Sequence, residues 1–150
     1  MTLPKLIYFL NRIFWRITKP TTIGVRAMLL KENTILLVKH TYHDSWYLPG
    51  GRIKKGEIFE QAIRRELYEE LDCELHSIRL FGVYNSFNEY KNDSIVIFYS
   101  DDFSLSGKTD GEIERYDFFK LNKLPEEVSM GTRKRIEEYT KGYTSNFGLW

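Results

Sequence analysis

Three carboxylates stand at i, i+3 and i+4 in one short stretch: Glu66, Glu69 and Glu70, within GRIKKGEIFEQAIRRELYEELDC at residues 51–73. Ile58, Phe59, Ala62, Ile63 and Leu67 recur at helical spacing around them, so Ile58 to Leu71 is expected to be a helix. On that helix Glu66 and Glu69 fall beside Ala62, and Glu70 falls near Phe59 and Ile63, while Glu60, Gln61, Arg64 and Tyr68 take the other side. The three acids therefore lie on, or at the edge of, the stripe that faces the protein. Like charges so placed repel, and each carboxylate buried without a partner costs several kcal/mol. Hard divalent cations answer both problems, because Mg²⁺ takes oxygen ligands and bridges to phosphate groups. The plainer reading is a solvated acidic helix face, which the apolar neighbours argue against. Zinc is not expected: there is one cysteine, Cys73, and His40, His43 and His76 lack ligand spacing.

The same segment resembles the Nudix box, G-x5-E-x7-R-E-U-x-E-E-x-G-U with U a bulky aliphatic. Gly51, Glu57, Arg65, Glu66, Leu67, Glu69 and Glu70 match it in register. The runs GVRAMLL, ILLVKH and WYLPGG before it, and EIERYDFFKLNKLPEE after it, are also similar to the family, so the likeness extends over residues 22–127. Two positions depart: Asp72 stands for the last glycine and Cys73 for the final aliphatic. That glycine ends the helix, where a left-handed conformation is common. Aspartate tolerates it at modest cost, so a slightly strained helix exit is expected and no metal ligand is lost.

The resemblance implies an α/β (α+β) fold, a Nudix-type α/β/α sandwich around a mixed sheet. It implies hydrolysis of a phosphoanhydride bond, dependent on Mg²⁺ or Mn²⁺, in a nucleoside diphosphate linked to another group, a nucleoside triphosphate or a dinucleoside polyphosphate. By position, Glu66, Glu69 and Glu70 would be the metal-binding and catalytic glutamates, and Gly51 would lend its carbonyl to a metal. Glu57 and Arg65 would pair and support the site. A later acidic ligand is common in the family; Glu112 fits best and Glu114 second. Two alternatives remain: a pyrophosphohydrolase acting on RNA 5′ ends, and a Nudix-fold nucleotide-binding regulator without hydrolysis. The intact carboxylates favour the enzyme.

Trp46 and Tyr47 could stack on a nucleobase, although aromatic residues in a short strand are more often core. Lys39, with His40 beside it, could meet phosphate, and Tyr90 matches a tyrosine that some dinucleoside-polyphosphate-cleaving members place similarly.

These residues need a scaffold. The 150 residues, 42% hydrophobic and 29% charged, suit one domain, with no linker or repeat to divide it. Gly24–Leu30 and Thr34–Lys39 read as a hairpin joined at Lys31-Glu32-Asn33. Ile78–Tyr84, Ser94–Ser100 and Ile113–Phe119 read as strands, Arg133–Lys141 as a helix, and Asn85–Asp93 and Asp101–Gly111 as polar loops. The net charge of +1 speaks against DNA binding, and no transmembrane segment or secretory signal is evident, so a cytoplasmic enzyme is expected.

Charge is unevenly spread. Residues 1–20 form a separate unit carrying +4, with the domain proper at 21–150. Over 3–19 a helix would put Lys5, Arg12, Arg16 and Lys19 on one face, opposite Leu6, Leu10, Ile13, Phe14 and Ile17, and Pro20 would stop it. Such a helix packs on its own domain or on a second copy in a homodimer; the alternative is peripheral contact with an anionic membrane surface.

Overall fold

The computed structural model describes residues 3–144 and 146–150, and the side chains of all of these except Pro4 and Glu89; Met1 and Thr2 of the expected N-terminal unit lie outside them. The β-branched and aliphatic run from Thr21 to Lys31 forms β1, and the positive φ of Glu32 turns the chain into β2, Thr34–His40, which pairs antiparallel with β1. The two strands share only three paired positions, Leu29–Leu36 to Lys31–Thr34. Beyond these they part, and the loop at 48–53 takes the place of β2 beside β1. Ala27 and Val25 donate their N–H groups to the carbonyls of Pro49 and Gly51, and Ile53 N–H donates to Ile23.

The remaining elements in chain order are β3 (Trp46–Tyr47), α2 (Phe59–Leu71), β4 (Cys73–Leu75), β5 (Arg79–Ser86), β6 (Asn92–Ser100), β7 (Phe103–Leu105), β8 (Ile113–Lys120), α3 (Met130–Thr140) and β9 (Asn146–Leu149). They follow α1, Leu3–Thr18. The main sheet runs β3-β2-β1-β6-β5-β9, with β8 also paired to β2. It is mixed: β1–β6 and β5–β9 are parallel, the other pairs antiparallel. A two-stranded sheet, β4–β7, stands apart.

Alternation along the strands splits the interior in two. Val25, Ala27, Leu29, Leu36 and Val38 face α2, where they meet Ala62, Ile63, Leu67 and Leu71. Met28, Leu30, Ile35 and Leu37 face Ile136 of α3, together with Trp46, Leu48 and Phe81. Helices on both sheet faces make this an α/β/α sandwich. The short strands β4, β7 and β9 were not expected from the sequence: at three or four residues each they are too brief for a period to show.

The N-terminal helix forms over the expected residues, but its apolar stripe does not pack on the domain. Leu6, Leu10, Ile13, Phe14 and Ile17 are all exposed. The helix docks instead through Trp15, 7% exposed, and Tyr8, whose ring stacks on that of Tyr42 at 5.5 Å.

Candidate active site

The box residues form a loop and a helix held together by one guanidinium. Arg65 donates to both oxygens of Glu57, at 2.6 and 2.9 Å. It also donates to Glu66 at 2.7 Å, to Glu69 at 3.0 Å and to the carbonyl of Arg52 at 3.0 Å. The paired hydrogen bonds from Arg65, joined by one from the Lys54 N–H, lower the Glu57 carboxyl to about 2. The Arg65 guanidinium is raised above its ordinary range by the same pairing, then by Glu66 and Glu69. At the start of α2, where Ile58 offers no capping oxygen, Gln61 reaches back to accept from the Ile58 N–H at 3.1 Å.

The three carboxylates have different surroundings. Glu70 is 5% exposed and accepts from the Gly50 N–H at 2.9 Å. Burial pushes its carboxyl up to about 8; Arg26 and the Gly50 bond oppose the rise, while Glu66 and Asp110 add to it. Glu66 lies against Gly51, where a Cβ would force its carboxylate aside. Gly50 has φ +128°, and a Cβ there would strike the Val25 carbonyl. Glu69 is half exposed and is shared between Arg65 and Lys54. Of the three acids expected on or at the edge of the inward stripe, Glu70 is buried, Glu66 is partly buried and Glu69 is half exposed, the last two bonded to Arg65.

Glu112, just ahead of β8, joins this electrostatic group. Its carboxyl is raised by partial burial, then by Asp110 and Glu66. Its carbonyl accepts from Thr41 N–H, and Asp110 Oδ1 accepts from the N–H groups of Glu112 and Ile113. Asp110 N–H in turn donates to the Glu70 carbonyl. Nothing among the described contacts links Glu114 to the group. Sequence reasoning missed Asp110, although an acid two residues before the favoured Glu112 was a readable signal. It also missed Arg26, a cation inside an otherwise apolar strand, which holds down the Glu70 carboxyl and also acts on His40 and Tyr42.

Among the described residues, no three acidic, histidine or cysteine side chains converge as a ready-made metal cage. The arrangement fits a hard cation nonetheless. The donors are all oxygens, one of them belongs to a buried carboxyl, and Glu66 and Asp110 raise the affinity of Glu70 and Glu112 for positive charge. The Gly51 carbonyl already accepts from Val25 N–H at 2.9 Å, and its second lone pair remains.

The substrate residues expected from sequence are divided by the sheet. Trp46 is not at the site: it is 6% exposed in the core on the α3 side, edge-on to Phe119 at 4.8 Å. Lys39 pairs with Trp46 and Arg115 in the sheet and, by alternation with Leu37, belongs to that same far face. Tyr47 turns to the α2 side, where its ring lies 5.8 Å from His40 and 5.4 Å from His43. His40 cannot bring charge to phosphate near neutral pH: burial, then Arg26 and His43, depress it to about 4. Tyr42, pushed up to about 12 by burial and then Glu112, bridges the aromatic group to the acids. Tyr90 sits under Arg16 of α1, 5.7 Å from its ring, apart from the glutamates.

Residues 20–139 match the family model described as the NUDIX domain. An ADP-ribose pyrophosphatase from Methanocaldococcus jannaschii is 28% identical over 132 residues, covering 85% of this chain and 78% of that protein. An RNA pyrophosphohydrolase from Hydrogenovibrio crunogenus is 36% identical over 52 residues, 35% of this chain and 32% of that one. The crystal structure of a MutT NUDIX hydrolase from Burkholderia pseudomallei superposes with a TM-score of 0.71 at 26% identity, covering 78% of this chain and 96% of that chain.

Proposed function

The chain belongs to the Nudix family and is a Nudix pyrophosphohydrolase, and on that premise we propose that it uses Mg²⁺ or Mn²⁺ to hydrolyse the phosphoanhydride bond of a nucleoside diphosphate joined to a sugar, the class to which ADP-ribose belongs. The observation that carries this reading is the buried Glu70 carboxylate, tethered to Gly50 and acted on by Glu66 and Asp110, which also act on Glu112. A protein has little other use for so much negative charge beside a buried acid. The substrate class is supported by the ADP-ribose pyrophosphatase of Methanocaldococcus jannaschii, which matches over 85% of this chain.

Glu66, Glu69 and Glu70, with the Gly51 carbonyl and Glu112, would hold the cation. When bound, it neutralises phosphate charge and lowers the pKa of a water at the scissile phosphorus. Arg65 keeps Glu66 and Glu69 within reach of that position and restrains them while Glu57 anchors Arg65 in turn. Arg26 offers positive charge beside Glu70, suited to the oxygens of a diphosphate. Glu66 or Glu112, both in this acidic group, would accept the proton of the attacking water. Tyr47 and Tyr42 would form the wall against which the base or sugar rests.

The test is product release from a panel of ADP-ribose, nucleoside triphosphates, dinucleoside polyphosphates and a 5′-triphosphorylated oligoribonucleotide, with Mg²⁺ or Mn²⁺. ADP-ribose should be cleaved fastest, and Glu69→Ala and Glu70→Ala should each lower kcat by at least about a hundredfold. Binding without turnover across the panel would make the chain a regulator. Preference for the RNA end would support the second relative's activity, carried here by a match over 52 residues. Full activity in either alanine variant would remove the glutamates from the proposed roles.

A further inference from the structure

The catalytic reading leaves the first helix without a task. We infer that α1 is a membrane-surface helix, which lies in the plane of an anionic lipid bilayer and seats the enzyme there. At about 100° per residue, Leu3, Ile7, Leu10, Ile13, Phe14 and Ile17 share an arc of roughly 120°, and every one of them is exposed, Phe14 at 59% and Ile17 at 78%. The arc points away from the domain, because the opposite side of the helix is already fixed. Tyr8 packs on Tyr42 and His43, and Trp15 lies beneath Arg52 at 5.2 Å and Lys91 at 3.9 Å. The stripe runs the whole length of the 16-residue helix, about 24 Å. A continuous apolar strip of that extent left in water is unfavourable and marks a binding surface.

Charge selects the occupant. Lys5, Arg12, Arg16 and Lys19 lie on the flank between the docked side and the stripe, all exposed, and no acidic residue occurs before Glu32. A second copy would bring another segment of charge +4 close to this one, with no carboxylate in either to offset the repulsion. A bilayer rich in acidic phospholipid offers hydrocarbon for the stripe and phosphate for the cations together. Among the described residues no helix is long and apolar enough to cross a membrane, so α1 rests on the surface. Its docking through Tyr42, His43 and Arg52 keeps the carboxylate site at a fixed place relative to the lipid.

Co-sedimentation of the full chain with vesicles tests this. Binding is expected to vesicles of phosphatidylcholine mixed with phosphatidylglycerol, with much weaker binding to phosphatidylcholine alone and release by added salt. The double change Leu10→Asp with Phe14→Asp should lower the partition coefficient at least tenfold, roughly the loss of two buried apolar side chains. Lys5→Glu with Arg12→Glu should lower it on the order of fivefold per residue. All four positions are exposed, so the circular dichroism melt of each variant should match the parent. No binding to the mixed vesicles, or binding untouched by either pair of changes, overturns the inference. A wild-type dimer in sedimentation velocity that Leu10→Asp with Phe14→Asp converts to monomer, without vesicle binding, gives the face to a second copy and overturns it too. Equal binding to both vesicle types removes the role of charge.

Discussion

Arg65 is bonded to Glu57, Glu66, Glu69 and the Arg52 carbonyl, so a single side chain joins the loop ahead of α2 to the acids on the helix. The pair with Glu57 has a pH signature whose sign can be worked out. The Glu57 carboxyl sits at about 2 in the fold, chiefly through the Arg65 hydrogen bonds, against an ordinary 4.5. A carboxyl depressed on folding contributes stability that is fully present above its unfolded value and is lost as pH falls through the folded one. Urea unfolding of the parent and of Glu57→Gln should therefore show a gap near neutral pH that narrows between about 4.5 and 2. The difference between the two proteins reports the Glu57 charge within the Arg65 network. A gap that stays constant down to about pH 3 would mean that the pairing does not set the stability of the loop.

The element that shapes the site is α2, and much of it was legible in the sequence. Its apolar period gave the face that meets the sheet, and the resemblance to the Nudix box implied the Glu57–Arg65 pair now seen at 2.6 Å. The strands of more than six residues were found because an alternating or aliphatic run of that length leaves a readable pattern. What the sequence hid were partners distant along the chain. Trp46 and Tyr47 are adjacent, yet β3 sends one into each core, and no local pattern told which would reach the site. Asp110 and Arg26 join the acids only because β8 and β1 flank the same strand, β2. The exit of α2 carries the departure from the family pattern, and its cost is visible: Asp72 adopts φ 47°, ψ 45°, left-handed, and its carboxylate accepts from the Ser106 hydroxyl at 2.6 Å. The aspartate thus ties the helix end to β7 and its loop. Asp72→Ala loses that bond and keeps the unfavourable φ, so it should destabilise by about 1–2 kcal/mol, while Asp72→Asn should stay within about 0.5 kcal/mol of the parent. Chemical denaturation of the three proteins checks this. An alanine variant as stable as the parent would show that the Ser106 contact contributes nothing.

At the scale of the whole molecule the site occupies the seam where β1 and β2 part and the loop at 48–53 fills the gap. That loop touches both cores: Leu48 belongs to the α3 side, and Ile53 packs against the α2 side. Glu70 is tied to the loop through Gly50, so charge at this point bears on the junction of the two layers. Without a cation, the fold must either protonate Glu70 or bury its charge, and both cost stability near neutral pH. Binding that favours the native state alone stabilises by about 2.7 kcal/mol at a hundred times Kd. For a chain of this size that raises Tm by roughly 5–10 °C. Calorimetric melts in excess Mg²⁺ and in a chelator should differ by that amount in the parent. Glu70→Gln can still accept from Gly50 but carries no charge, so its melt in chelator should exceed the parent's by about 1–3 kcal/mol of stability, and Mg²⁺ should scarcely move it. The two responses test one cause from opposite sides, since the acid that makes the metal-free fold less stable is the acid a cation would satisfy. A parent melt indifferent to Mg²⁺ and Mn²⁺, or a glutamine variant stabilised by them as much as the parent, would leave the buried carboxylate without the proposed purpose.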